Sequence, residues 1–161
     1  QRQMCIRDRA VGVRGRLREQ RFTALMPLVA VQRRVTPQDL RGVVSSRDLP
    51  ALRALDHLRP VLAQQDWGVT GSAGFELASG IEALHAQSDL DLMLCTPEPF
   101  ERNAARNLLA LLDSAECAVD LQLQTPFGAV ALREWAGESR RVLLKTTHGA
   151  HLVLDPWQAV A

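Results

Sequence analysis

Two short segments in which apolar and polar residues alternate constrain the fold of this chain more than any other feature. In residues 88–94 the apolar residues alternate with Asp89 and Asp91, and in residues 119–124 they alternate with Asp120. A period of two is typical of a β-strand that has one buried face and one open face. The sequence therefore predicts two strands whose apolar side chains enter a core and whose aspartates lie on the other face.

Helix and strand signals alternate along the rest of the chain. Leucines at near-helical spacing predict a helix over residues 49–65, and alanine and leucine content predicts another over residues 98–114. Residues 72–88 fit either a short helix or half of a hairpin, and residues 129–135 mix strand and helix character. The other predicted elements are a strand over 10–13, helices over 17–28 and 38–43, a strand over 67–70, and a hairpin of strands over 142–146 and 152–154. This order predicts an α/β or α+β fold with a mixed sheet flanked by helices.

The length and the hydrophobic content indicate one core. A chain of 161 residues that is 47% hydrophobic buries about two thirds of its unfolded surface. We therefore expect residues 10–161 to form a single domain. Residues 1–9 begin with Gln1 and have no period that a core could use, so we expect an artefactual or disordered start and an N-terminally truncated domain.

Charge and cysteine content exclude several classes of protein. Nineteen Lys and Arg against eighteen Asp and Glu give a net charge of +1, which does not indicate a partner such as nucleic acid or a membrane surface. The three cysteines have neither metal-ligand spacing nor the density of a disulfide scaffold. The apolar run over residues 24–31 is too short for a membrane span and contains Pro27. We expect a soluble, cytoplasmic protein.

Asp89, Asp91 and Asp120 are the candidate catalytic and metal-binding residues. Asp89 and Asp91 are two apart on a predicted strand, so their carboxylates project from one face. Such a pair can bind one or two Mg²⁺ or Mn²⁺ ions, which activate an attacking hydroxyl and neutralise a leaving pyrophosphate. Asp120 on a neighbouring strand then completes a two-metal site or acts as the base. The alternative interpretation is a solvated polar strand face, which is common for Asp-x-Asp.

Candidate phosphate-binding residues fall into two groups. Gly71 lets a phosphate approach the backbone after a predicted strand, and Ser72 adds a hydroxyl donor. The second group is basic and consists of Arg14, Arg18 and Arg21 at helical spacing, together with Lys145. The arginines can hold a triphosphate through bidentate contacts, or they can form an exposed basic helix face. Lys145 can reach a phosphate, or it can protect an edge strand from aggregation.

Five segments of the chain form a recognisable pattern. They are residues 11–21, 67–77, 88–92, 119–122 and 125–130. Together they resemble phosphoribosyl-dephospho-CoA transferase, the holo-acyl-carrier-protein synthase of malonate decarboxylase, and the resemblance extends over residues 11–157. It implies a nucleotidyltransferase-like fold and an enzyme that transfers the phosphoribosyl-dephospho-CoA group from triphosphoribosyl-dephospho-CoA to a serine of the acyl carrier subunit, with release of pyrophosphate.

The resemblance also implies roles for individual residues. Asp89 and Asp91 match the family's catalytic pair, Gly71 and Ser72 match its phosphate-binding turn, and Asp120 matches a third acidic position more loosely. The spacing from Ser72 to Asp89 is longer than in many nucleotidyltransferases but suits this family. The family's segment before residue 11 is replaced here by residues 1–9. Part of the surface for the substrate or the carrier is expected to be lost with it.

Two other functions remain open from the sequence. One is a generic Mg²⁺-dependent nucleotidyltransferase that acts on a small molecule or a protein. The other is a carrier-binding module without catalytic activity. Pyrophosphate release from triphosphoribosyl-dephospho-CoA or from ATP distinguishes the family's enzyme from a generic nucleotidyltransferase. Binding of Mg²⁺ distinguishes either enzyme from a module without catalytic activity.

Overall fold

The computed structural model of this chain describes the backbone of residues 8–14 and 21–159, with side chains from residue 23 onward. Contacts between Cα atoms divide the chain into two compact units, Gln1–Val35 and Thr36–Ala161. In the first unit, strand β1 (Asp8–Arg14) pairs with strand β2 (Arg21–Pro27) as an antiparallel ribbon, and a short 3₁₀-helix, Leu28–Ala30, follows. The strand predicted over residues 10–13 is confirmed within β1.

The helix predicted over residues 17–28 is wrong. Residues 21–27 are extended instead, and each of the seven pairs with a residue of β1. A short apolar run has only a weak local preference for helix or strand. Pairing with another strand of the chain then decides which structure the run adopts. Arg14, Arg18 and Arg21 therefore form no helical row, because Arg14 and Arg21 are register partners across the ribbon. Arg18 lies outside the described residues.

The second unit is built on one mixed sheet of six strands. The sheet order is β3-β4-β5-β6-β7-β8, in which β4 and β5 are parallel and every other neighbouring pair is antiparallel. The strands are β3 (Trp67–Val69), β4 (Leu90–Cys95), β5 (Val119–Thr125), β6 (Gly128–Ala131), β7 (Val142–Thr146) and β8 (Gly149–Val153). The helices are α1 (Pro50–Val61), α2 (Gly71–Ser79), α3 (Arg102–Asp113) and α4 (Leu132–Ala136). The predicted fold class, a mixed sheet flanked by helices, is confirmed.

The two alternating segments form β4 and β5, which are strands as predicted and are adjacent interior strands of this sheet. Leu90, Leu92 and Leu94 of β4 are completely buried, and Leu123 of β5 is too. Burying each leucine side chain contributes about 1.5–3 kcal/mol. This burial determines which face of each strand packs into the core. The opposite face is less covered, and Asp91 on it is only half-buried.

Local signals account for the starts and ends of the helices. The predicted short helix is a 3₁₀-helix, Pro37–Leu40, whose Thr36 and Asp39 form a reciprocal capping box. Helix α1 begins at a proline in the first helical position, as expected, and ends before residue 65. Residues 129–135 divide between β6 and α4. No helix in the described part of the chain is long and apolar enough to cross a membrane.

Residues 72–88, which the sequence left undecided, begin as a helix. Helix α2 runs from Gly71 to Ser79 and ends at Gly80, whose φ of 72° is the left-handed conformation that closes many helices. The predicted C-terminal hairpin is confirmed as β7 and β8, although β8 begins at Gly149, before the predicted residue 152. The sheet and α2 together position the candidate site.

Candidate active site at the start of helix α2

The first residue of α2 lies directly against Asp91. Gly71 has a φ of 61°, and a Cβ atom built on it would overlap the Oδ2 atom of Asp91. Just before it, the Thr70 N–H donates a hydrogen bond of 2.9 Å to the backbone carbonyl of Asp91. Only glycine combines this backbone conformation with so close an approach. The structure therefore brings the Gly71-Ser72 turn and Asp91 together, and half-buried Ser72 lies in the first turn of α2.

The candidate acids lie on neighbouring strands. Asp91 and Asp120 are register partners in the parallel pair β4–β5, so their side chains project from the same face of the sheet. Adjacent strands are about 4.8 Å apart, which makes the two carboxylates close neighbours. Asp89 lies one residue before β4 and is exposed. Asp91 and Asp120 thus lie beside each other, while the catalytic role of each of the three aspartates stays a prediction.

Gln122 belongs to the same group and was not singled out from the sequence. Its Nε2 atom donates to both carboxylate oxygens of Asp120, at 3.2 and 3.3 Å. It lies two residues after Asp120 on β5 and so shares the same face. The signal was present in the alternation of residues 119–124, because every polar residue of that segment has to face Asp120's side of the sheet.

The carboxylates of this site fit a magnesium ion for which the protein supplies only some of the ligands. Among the residues with described side chains, no group of three or more His, Cys, Asp or Glu is arranged to hold a metal ion. Asp91 and Asp120 nevertheless present carboxylate oxygens side by side, and Asp89 directly precedes the same strand as Asp91. Gly71, which has no side chain, lets the Asp91 carboxylate lie against the start of α2. Magnesium is usually bound by one or two carboxylates, with water and substrate phosphates completing its shell. The arrangement suits an ion that arrives with a phosphate substrate.

Lys145 shares the face of the aspartates but lies at a distance from them. Register partners connect Gln124 to Ala129 and Ala129 to Lys145, so Lys145 is two strands away from β5 and four residues along it from Asp120. At about 3.3 Å per residue and 4.8 Å per strand, the separation is about 16 Å. An exposed Lys145 can meet a distant part of a long substrate but not a phosphate held at Asp91.

A buried carboxylate fixes the segment that leads from α2 to Asp89. Glu76 of α2 is 6% exposed and accepts hydrogen bonds from the backbone N–H groups of Ala83 and Leu84 and from Arg47. Burial acts to raise the pKa of Glu76, but these hydrogen bonds and the Arg47 charge outweigh it, so the pKa is lowered. At the end of the segment, Ser88 is buried and its Oγ accepts from the His85 N–H.

The two described cysteines are free thiols and are poor nucleophiles. Burial raises the pKa of Cys117, and the charge of Asp89 raises it further. Burial likewise raises the pKa of Cys95, with Asp66 adding to the effect. Because the thiolate is the reactive form of cysteine, neither side chain is activated for nucleophilic attack. The chemistry of this region therefore rests on carboxylates.

Most of the chain matches a known protein family. Residues 39–156 match the family model described as phosphoribosyl-dephospho-CoA transferase MdcG C-terminal domain. This span contains Gly71, Asp91, Asp120 and Gln122.

Relatives extend the similarity over almost the whole chain. The phosphoribosyl-dephospho-CoA transferase of Pseudomonas fluorescens is 62% identical over 150 residues, which are 92% of this chain and 72% of that protein. The Pseudomonas aeruginosa enzyme of the same name is 54% identical over 153 residues (92% and 73%), and the Azotobacter vinelandii enzyme is 53% identical over 159 residues (94% and 75%). No solved structure matches the chain significantly. With a family model over most of its length and relatives this similar, the chain belongs to the phosphoribosyl-dephospho-CoA transferase family.

Proposed function

We propose that this chain transfers the phosphoribosyl-dephospho-CoA group of triphosphoribosyl-dephospho-CoA to a serine hydroxyl of the malonate decarboxylase acyl carrier subunit, with release of pyrophosphate. The observation that carries the proposal is the contact of Gly71 with Asp91, beside Asp120, within a chain of this family. Backbone N–H groups at a helix start, which attract phosphate, and two adjacent carboxylates are what a pyrophosphate-releasing transfer requires.

The reaction is a substitution at phosphorus. The serine oxygen forms a bond to the phosphorus that is attached to the ribose, and the bond from that phosphorus to the bridging oxygen of pyrophosphate breaks. The serine proton has to leave as the new bond forms, and a carboxylate within reach can accept it. We assign this role to Asp120, which is exposed beside Asp91 and is supported by Gln122.

Asp89 and Asp91 are the residues that we propose as protein ligands of Mg²⁺, with Mn²⁺ as a substitute. When bound, the ion neutralises charge on the triphosphate and on the leaving pyrophosphate. The backbone N–H groups at the start of α2 and the Ser72 hydroxyl are proposed to hold the phosphates next to it. Lys145 lies about 16 Å from Asp120. We propose that it contacts the dephospho-CoA end of the substrate, far from the phosphates. Arg14, Arg18 and Arg21 remain candidates without an assigned contact.

Partner and compartment follow from the same proposal. The acyl carrier subunit presents its serine at the open face of β4 and β5, where the aspartates lie. Described cysteines that are free suit a reducing cytoplasm.

The proposal is tested with the purified chain, the acyl carrier subunit, Mg²⁺ and two competing nucleotides. With triphosphoribosyl-dephospho-CoA we expect pyrophosphate release and a carrier mass increased by one phosphoribosyl-dephospho-CoA group; with ATP we expect neither. A carrier whose acceptor serine is replaced by alanine is the control. Equal turnover of ATP would favour a generic nucleotidyltransferase, and carrier binding without pyrophosphate release would favour a non-catalytic module.

A further inference from the structure

Among the described residues, the amide of Gln122 forms hydrogen bonds to one group, the Asp120 carboxylate. Its two register partners on the flanking strands are Met93 and Ala131, neither of which offers a polar side chain. Its Nε2 atom donates to both oxygens of Asp120, at 3.2 and 3.3 Å. The amide thus lies along its own strand toward the neighbouring acid and not across the sheet.

The other end of the same amide is left without compensation. Gln122 Oε1 is buried and is the one such side-chain polar atom, among the described residues, without a hydrogen-bond partner. Reversing the amide would turn Oε1 toward the Asp120 carboxylate and bring two acceptors together. The contact with Asp120 therefore decides the orientation of the amide, although it leaves a buried acceptor unsatisfied.

From this geometry we infer that Gln122 is a positioning residue for Asp120. Two donations from one Nε2 hold both carboxylate oxygens and restrict rotation about the last side-chain bond of an otherwise exposed aspartate. On this inference Gln122 acts through Asp120. This inference rests on the proposed role of Asp120 as the proton acceptor.

Gln122→Met is the main variant, because methionine keeps the length of the side chain and removes both the donor and the unsatisfied acceptor. We expect kcat for transfer from triphosphoribosyl-dephospho-CoA to fall about 10- to 100-fold, the usual effect of a misplaced catalytic group. KM should stay within about twofold, since transition-state stabilisation alone is lost. Thermal melting should be unchanged or raised, because an unsatisfied buried acceptor is removed with the donor.

Gln124→Met is the matched control. Gln124 lies two residues further along β5, on the same face, and is half-buried like Gln122. We expect it to leave kcat and KM unchanged. An equal loss of kcat in both variants would show that any polar residue on this face matters, and it would overturn the assignment to Gln122.

A double-mutant comparison separates positioning from a general structural role. In an Asp120→Asn background, Gln122→Met should cause no further loss of kcat, because two residues that act as a unit are not additive. Additive losses would overturn the inference. If Asp120→Asn alone keeps full activity, the proposed role of Asp120 fails. If Asp120→Asn is inactive while Gln122→Met is normal, only the inference on Gln122 fails.

Discussion

At the scale of single residues, the proposed metal ligands are the first to test. Asp89 lies just before β4 and is exposed, and Asp91 lies within that strand. Replacing either with Asn keeps its size and removes one negative charge. We expect Mg²⁺ affinity to fall and transfer to slow by at least about 10²-fold, or roughly 3 kcal/mol of transition-state stabilisation. The readouts are calorimetric Mg²⁺ binding and pyrophosphate release.

Stability distinguishes this loss from misfolding. Two nearby like charges repel each other without the ion, so either Asn variant should melt at or slightly above the parent temperature. Asp56→Asn is the control, because Asp56 is exposed on α1 and pairs only with Arg59 at the surface. An Asp91→Asn variant that kept full activity, or lost it only by unfolding, would contradict the metal-ligand role. Asp89 and Asp91 would then be polar residues on a solvated strand face.

The contact between Gly71 and Asp91 gives a second prediction at this scale. Alanine at position 71 needs the strained φ of 61° and also overlaps Asp91 Oδ2, so the start of α2 has to move. We expect Gly71→Ala to lower the free energy of unfolding by about 1–3 kcal/mol and to abolish transfer. Urea unfolding and pyrophosphate release measure the two effects.

Gly80 provides a matched control for that substitution. It too has a positive φ, 72°, but a Cβ atom there meets nothing within 4 Å. Gly80→Ala should therefore lower stability through backbone strain while leaving transfer intact. If Gly80→Ala lost activity in proportion to stability, the Gly71 effect would be one of strain and not of the site.

At the scale of elements, the connection from α2 to β4 depends on Glu76. Its pKa is lowered from the ordinary 4.5 because the hydrogen bonds to its carboxylate outweigh its burial. A group with a lowered folded-state pKa stabilises the protein above its unfolded pKa and loses that contribution as the pH falls through the folded value. We expect the free energy of unfolding to decrease as the pH falls below 4.5. Urea titrations at a series of pH values measure it.

Glu76→Gln should remove this part of the pH dependence. At neutral pH it should also destabilise the protein by about 2 kcal/mol, because hydrogen bonds to a charged group are lost beside Arg47. Glu82→Gln is the control, since Glu82 meets the same arginine at 3.7 Å but is 76% exposed. Its effect should be within about 0.5 kcal/mol. Equal effects of the two substitutions would refute a special role for the buried acid.

At the scale of the whole molecule, substrate and metal are expected to stabilise the protein together. Among the residues with described side chains, no group of three or more His, Cys, Asp or Glu is arranged to hold an ion. We therefore expect Mg²⁺ and pyrophosphate each to raise the protein's affinity for the other. At about 100 times Kd a ligand adds about 2.7 kcal/mol, which corresponds to about 5–10 °C for a chain of this size. We expect that rise only with both present, and none in Asp91→Asn. A full rise with Mg²⁺ alone would indicate a complete protein cage.

The sequence by itself determined the centre of the sheet and the family. Alternation in residues 88–94 and 119–124 predicted both strands and the face of Asp91 and Asp120, because a one-residue shift would expose buried leucines. The sequence also predicted the helix starts near Pro37 and Pro50, because capping residues and prolines act on the adjacent backbone. Such features depend on neighbours within a few residues.

Only the tertiary structure decided which distant residues meet. Residues 21–27 became a strand because β1 offered seven pairing partners. Asp91 came beside Asp120 through parallel pairing of segments about thirty residues apart, and Gly71 came against Asp91 through the junction of β3 and α2. Gln122 gained its role because its flanking neighbours on both strands are apolar. These contacts depend on strand register, which is set by burial of the whole core and not by any local sequence signal.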